Sequence, residues 1–200
     1  MKVADVLGSR EEPKGRVAAE ERLIAAAADL LGEVGPRAMS VRMVAERAGV
    51  NHGLVHHYFG GKDGLMRAAM VRLVEEHAHF AKQQSDGRPI PAPLALVGDQ
   101  RYLRAVVRAV LDGEMELAKT ELTAGVSVPR GALEHVRARR TAADDVEVKA
   151  MVALGMALEM GWAALEPFLF AVVDVGEDEA VEVRDTVKRL RRQLTGQAIA

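Results

Sequence analysis

A chain of 200 residues with 49% hydrophobic content is long enough to bury a core and too apolar for disorder. Its net charge is −2, and it has no cysteine, which excludes disulfides and thiol chemistry. Aromatic residues make up 4% of the chain while Ala, Leu, Val, Met, Glu and Arg abound, so the expected fold class is all-α.

The opening stretch, MKVADVLGSREEPKGR, mixes charges of both signs and has no apolar run. It reads as a flexible arm over residues 1–16 rather than a signal peptide, and a cytoplasmic address is expected. From Val17 to Val34, Leu23, Ala27, Leu30, Leu31 and Val34 fall on one stripe of an amphipathic helix, which Gly35-Pro36 stops. Ser40 then stands as an N-cap before Val41, Val44, Ala45 and Ala48, and Gly49 ends that short helix. Asn51 is expected to cap a third helix reaching about Tyr58. The last two helices are too short to stand alone, so they must share a core built from Val41, Val44, Ala45, Ala48, Val50, Val55 and Phe59. His52, Gly53, Leu54, His56 and His57 are left on the opposite face of the third helix. That division is a helix-turn-helix: one helix braced by the protein, the next presenting its outer face to a groove.

After Gly60-Gly61, Asp63 is expected to cap a long helix containing Leu65, Ala69, Leu73 and Val74 and running toward Lys82. Residues Ser85 to Pro93 read as a loop. Further helices are expected over Leu94–Leu111, Glu114–Thr123, Arg130–Arg140, Asp144–Leu165 and Asp178–Leu194. Met151 to Val175 is apolar over a membrane-spanning length, but Glu159, Glu166, Asp174, Gly155, Gly161 and Pro167 interrupt it, which favours a buried helix of a soluble protein.

Residues 1 to 72 carry 11 Lys/Arg against 9 Asp/Glu, and Pro36 to Lys62 concentrates four cations, one carboxylate and three histidines, a local density suited to phosphates. Residues 22–69, RLIAAAADLLGEVGPRAMSVRMVAERAGVNHGLVHHYFGGKDGLMRAA, resemble the DNA-binding domain of the TetR-like repressors. The resemblance implies an N-terminal three-helix DNA-binding domain (17–62) and a C-terminal helical ligand-binding and dimerisation domain (63–200). It also implies a homodimer on a double-stranded DNA operator, a small-molecule effector, and a dimer seam made by the last two long helices. The chain departs from the family at Leu54, where Thr, Ser or Ala is usual, and at His56, where Tyr is usual. Both departures lie on the DNA-facing side, so neither that tyrosine's phosphate contact nor any known operator is carried over.

The candidate DNA-binding residues are Ser40, Arg42, Asn51, His52, Gly53, Leu54, His56, His57, Tyr58 and Lys62. His52 and Leu54 lie where a recognition helix meets base edges: imidazole can bond a guanine and Leu can lie against a thymine methyl. Arg42 has a base, a phosphate or plain solvent as its options. The resemblance puts Lys62 on a phosphate and His57 and Tyr58 at the backbone contact, with Tyr58 equally suited to the core. The i, i+4 spacing of His52 and His56 can hold a metal, but no third ligand is evident, so no metal and no cofactor are expected. No phosphate loop, nucleophile elbow or carboxylate pair is recognisable, so no enzyme is expected. Candidate ligand contacts are Met115, Met156, Glu159, Met160, Trp162 and Phe168, side chains that are core elsewhere but as a cavity lining suit an apolar, adaptable ligand. Glu159 has three roles open to it: ligand anchor, partner of an arginine across the dimer seam, or an exposed carboxylate. The rival functional class is a helical small-molecule-binding or interaction protein without operator binding.

Overall fold

The computed structural model describes residues 13–88, 90–139 and 145–196, and every regular element among them is a helix. Helix α1 (Pro13–Glu33) ends at Gly35, whose φ of +82° turns the chain into the single turn α2 (Gly35–Ala38). There follow α3 (Val41–Ala48), α4 (Gly53–Phe59) and the long α5 (Lys62–Gln84). A 3₁₀ turn over Ala95–Gly98 leads into α6 (Gln100–Leu111), then α7 (Met115–Ala118), α8 (Thr120–Thr123), α9 (Val128–Arg139), α10 (Asp145–Val172) and α11 (Ala180–Gly196). The expected arm falls partly outside the described residues; its last four, 13–16, already belong to α1.

The apolar stripes expected from the sequence meet in one core. Leu23 and Leu31 of α1, Val44 of α3, Val55 of α4, Leu65 and Leu73 of α5 and Ala105 of α6 are all buried in it. Fully burying a side chain of this size contributes about 1.5–3 kcal/mol, so this contiguous set, more than helix propensity, holds the short α3 and α4 in place. A smaller cluster, Leu133 and Val136 with Val148, joins α9 to α10.

Four local features differ from the sequence expectation, each for a physical reason. Asp63 is not the cap of α5: Gly60 and Gly61, at φ +71° and +129°, swing the chain round so that the helix begins at Lys62 and Asp63 sits inside its first turn. The helix expected over Leu94–Leu111 is broken at Asp99, which leaves helical geometry and accepts a hydrogen bond from the Tyr102 backbone N–H at 3.3 Å, capping α6. The segment Glu114–Thr123 is split at Lys119 into two single turns. Finally, α10 does not stop at Leu165 but runs through Pro167 to Val172.

A proline inside a helix removes the donor to the carbonyl four residues earlier. Here that carbonyl is Ala163, and the Gln100 side-chain amide donates to it at 3.0 Å while also donating to the Val97 carbonyl at 3.2 Å. The lost intrahelical bond is thus replaced from α6. Gln100→Leu is expected to destabilise the protein by about 1–3 kcal/mol in urea unfolding, since a buried carbonyl is left unpaired. In a Pro167→Ala background, where the backbone N–H at 167 returns, the same substitution should cost much less; an equal cost in both backgrounds contradicts the replacement.

Candidate nucleic-acid interface and interior cavity

Helix α3 begins where Ser40, in extended geometry, accepts a hydrogen bond from the Met43 N–H at 3.2 Å, and it ends at Gly49 in the left-handed region, with the Val50 N–H returning to the Ala45 carbonyl at 3.0 Å. Asn51 works one step earlier than expected: its Oδ1 accepts from the Gly53 N–H at 2.8 Å, while His52 occupies the N-cap position of α4 without a side-chain cap. Ser40 thus fixes the start of α3, and Asn51 sits in the turn between α3 and α4.

Val55 is fully buried and fixes α4 to the core, and this decides which side chains face outward. His52, Gly53, His56 and His57 are exposed. Leu54 is not: it is half-buried and packs against the core cluster. Tyr58 is also half-buried, with the Arg16 guanidinium 5.4 Å over its ring and His57 5.2 Å to one side.

The four cations between Pro36 and Lys62 separate into two kinds. Arg47 pairs with Glu33 at 2.7 Å, and Arg37 gives its backbone N–H and its Nη2 to Asp112, each at 2.9 Å. Arg42 and Lys62 form no ion pair among the described residues; Arg42 is exposed, and the Lys62 ammonium lies 3.5 Å from the Arg37 carbonyl at the first residue of α5. Arg37 forms no ion pair among the described residues either, since its guanidinium bonds a backbone carbonyl, but unlike Arg42 it is fixed to the end of α6.

Behind this head, a cavity of about 130 Å³ lies among α5, α6, α9, α10 and α11. Met156, Glu159 and Met160 line it. Met115, Trp162 and Phe168 lie elsewhere: Met115 is exposed at the start of α7, and Phe168 is 62% exposed on the outer face of α10. Trp162 donates to Glu166 at 2.6 Å on the seam with α11 and meets the Phe170 ring edge-on at 5.8 Å.

The polar part of the lining includes His77, Tyr102 and Arg191, which the sequence pattern did not single out. His77 of α5 stacks flat on Tyr102 of α6, with ring centres 3.8 Å apart, and its Nδ1 lies 2.9 Å from Asp99. The Tyr102 hydroxyl donates to Glu121 at 2.6 Å, and Ser127 donates to the other oxygen of the same carboxylate at 2.8 Å. Burial, and then the Glu121 carboxylate, hold the Tyr102 phenol protonated far above its usual range. Glu159 accepts from the Leu94 N–H at 2.7 Å and pairs with Arg191 of α11 at 3.0 Å, so its arginine partner belongs to its own chain. Burial lowers the proton affinity of Arg191, and Glu159 opposes that effect.

The cavity wall is joined to the head through α6. Arg101, next to Tyr102, donates to Asp29 and to Glu76, each at 2.8 Å, and Arg108 donates to the Gly32 carbonyl at 3.0 Å.

Residues 23–69 match the family model described as bacterial regulatory proteins, tetR family. Over 185 residues the chain is 31% identical to the HTH-type transcriptional repressor Rv3405c of Mycobacterium tuberculosis, an alignment covering 90% of this chain and 93% of that protein. The fold is similar to that of a tetR-family transcriptional regulator from Streptomyces coelicolor, with TM-score 0.60 and 20% identity over 96% of this chain and 83% of the other. A transcriptional regulator of Rhodococcus sp. Rha1 has the same TM-score of 0.60, with 22% identity over 87% and 96% of the two chains.

The Tyr102–Glu121 contact gives a pH signature. The folded phenol stays protonated while the unfolded one ionises near pH 10, so its contribution is present in full below that pH and is lost as pH rises above it. Tyr102→Phe is expected to cost about 1–3 kcal/mol at neutral pH, where Glu121 loses a donor. The gap between wild type and variant should close above pH 10 in denaturant titrations; a gap constant with pH counts against this coupling.

Proposed function

The chain belongs to the TetR family of bacterial regulatory proteins, and on that premise we propose that it is a cytoplasmic repressor that leaves a palindromic operator when a small molecule enters the interior cavity. The observation that carries the DNA half is the outer face of α4. Val55 holds the helix, His52 and His56 project away from the core, and Arg42 and Lys62, neither of which forms an ion pair among the described residues, lie on α3 and at the start of α5.

Within that reading His52, His56 and Arg42 meet base edges, and Lys62 and His57 meet phosphates. Ser40 and Asn51 keep a role beside their capping bonds: the Ser40 hydroxyl proton and the Asn51 amide N–H groups are not used by those caps and can donate to the backbone. Leu54 and Tyr58, both half-buried, shape the surface more than they read it. Each protomer takes one half-site, so two-fold symmetry requires a palindrome with half-sites about one helical turn, or a multiple, apart.

The dimer forms through α10 and α11. Leu154, Leu165, Phe168 and Val172 form an exposed apolar stripe on one face of α10, beside the exposed Ala153, Ala157 and Ala164, and Leu190 and Leu194 of α11 are exposed as well. Among the described residues α10 is the one helix long and apolar enough to cross a membrane. Its outer stripe is what a second copy covers, and small residues within it let two helices approach closely. Sedimentation should show a dimer at micromolar concentration, and Phe168→Asp should shift it to monomer with loss of operator binding.

The switch runs along α5. Its first residue, Lys62, faces the DNA, and His77, about 22 Å further on at 1.5 Å per residue, stands in the cavity wall. Lowering DNA affinity a hundredfold needs about 2.8 kcal/mol of coupling, and DNA must weaken the ligand by the same factor.

A mobility-shift assay with DNA flanking the protein's own gene tests the reading. Lys62→Ala should weaken binding to every sequence alike and reduce the slope of log K against log salt by about 0.9. His52→Ala should instead relax preference at one symmetric pair of positions, at a cost of about 1–3 kcal/mol. No sequence-specific shift at low salt would reject operator binding.

A further inference from the structure

The chemistry of the cavity limits what it can hold, and the inference rests on reading that cavity as the effector site. Its volume, about 130 Å³, is that of one ring: an apolar cavity of about 150 Å³ takes up benzene. Phe80, Met156 and Met160 give it apolar walls, and the methionines can adjust to an irregular outline.

Most of the polar groups around it are already committed to one another. The Tyr102 hydroxyl is given to Glu121, and Asp99 faces both His77 Nδ1 and the Tyr102 backbone N–H. The Glu159–Arg191 pair differs in bringing two full charges into the lining, with side chains only 15% and 12% exposed. Both are already partnered, Glu159 also by the Leu94 N–H, but a carboxylate has about four acceptor sites and a guanidinium five N–H donors, so the pair can take a further group. The two charges cancel. A third charge brought beside them would be buried without a counter-ion, the arrangement that low-dielectric interiors penalise most. A carboxylate would have to share one guanidinium with Glu159, and an ammonium on Glu159 would sit against Arg191. An uncharged group avoids both. Because the pair sets an acceptor beside a donor, it is matched by a group that both donates and accepts, such as a hydroxyl or a primary amide.

We propose that the cavity takes an uncharged, single-ring molecule carrying one hydroxyl or carboxamide, and that this group docks on the Glu159–Arg191 pair. The pair thus sets the charge selectivity of the site, and the apolar walls set its size.

The test uses the full chain and four probes of one size: benzyl alcohol, benzamide, benzoate and benzylamine, titrated calorimetrically at constant ionic strength. The two uncharged probes should bind at least about tenfold more tightly than the two charged ones. Glu159→Gln keeps an acceptor for the Leu94 N–H but leaves Arg191 in excess, so benzoate should gain at least about tenfold relative to benzyl alcohol. Arg191→Met should do the reverse, favouring benzylamine. A residue with only a packing role would weaken all four probes together; if either variant unfolds, by circular dichroism, the order of the probes on wild type still decides. Charged probes binding best, or no probe binding at millimolar concentration, overturns the proposal. Binding in the expected order with no change in operator affinity leaves the chemistry of the cavity standing and rejects the effector reading instead.

Discussion

Everything else in the molecule is arranged around the docking of α6 on α1. Arg101 reaches Asp29 and the Ala25 carbonyl, and Arg108 reaches the Gly32 carbonyl, so one helix face grips the other at three successive turns. Below that, Asp112 at the end of α6 takes two hydrogen bonds from Arg37. Gly35 makes this last contact feasible: its φ is +82°, and a Cβ there would stand 2.8 Å from the Asp112 carboxylate. Exposed ion pairs are individually worth about 0–1 kcal/mol. Their effect here is registration of a contact whose energy comes from the Leu23, Leu31 and Ala105 side chains buried between the helices. The same core continues into α3, α4 and α5, so the head cannot turn relative to α6 without disturbing packed side chains.

The α10–α11 pair obeys a different constraint. Glu159 pairs with Arg191 and Glu166 with Arg184, seven residues apart on each helix and in opposite directions, as antiparallel packing requires. Glu166 also accepts from Trp162, and the Arg184 guanidinium lies 5.1 Å over the Phe170 ring. The carboxylates that interrupt the apolar run of α10 are thus turned toward α11, which leaves the opposite stripe apolar. A helix that passes a membrane test on length and composition is in this way divided lengthwise, with a salt-bridged face toward its own chain and an exposed apolar face on the other side.

The head was legible in the sequence because its signals are local. Ser40, Gly49 and the stripe from Leu23 to Val34 each act within one or two turns, and the structure has each where expected. Leu54, placed outward by its position on the helix, is half-buried, because a helical wheel carries no information about packing against the rest of the core. The cavity was less legible. Met156, Glu159 and Met160 were marked from composition, but His77, Tyr102 and Arg191 carry meaning only through contacts between residues 19 or more positions apart in sequence. Asp99 and Pro167 show the same limit: one breaks an expected helix by capping it, and the other fails to break one because Gln100 supplies the missing donor. The equal seven-residue spacing of Glu159 and Glu166 with Arg184 and Arg191 was a usable signal for the seam.

One consequence concerns how a small molecule could reach the head at all. His77 and Tyr102 face each other as stacked rings in the cavity wall, and the residues beside them, Glu76 and Arg101, are bonded to each other on the side away from the cavity. Arg101 in turn holds Asp29 of α1, and Glu76 also binds Arg72, which holds Glu21 of α1. A ring that parts or tilts the stacked pair therefore moves α5 and α6 against each other at the point where both are tied to α1. Such a shift need be no larger than an ångström, because packed cores move between discrete arrangements and do not deform continuously. The ties do not themselves supply the coupling energy. That must come from a ligand that fits the displaced arrangement better than the resting one, since a ligand bound equally well by both shifts nothing however tightly it binds. In a cavity of about 130 Å³ the resting arrangement has room for one ring and no more. A ring that presses on the stacked pair when its polar group reaches Glu159 would favour the displaced arrangement by steric demand.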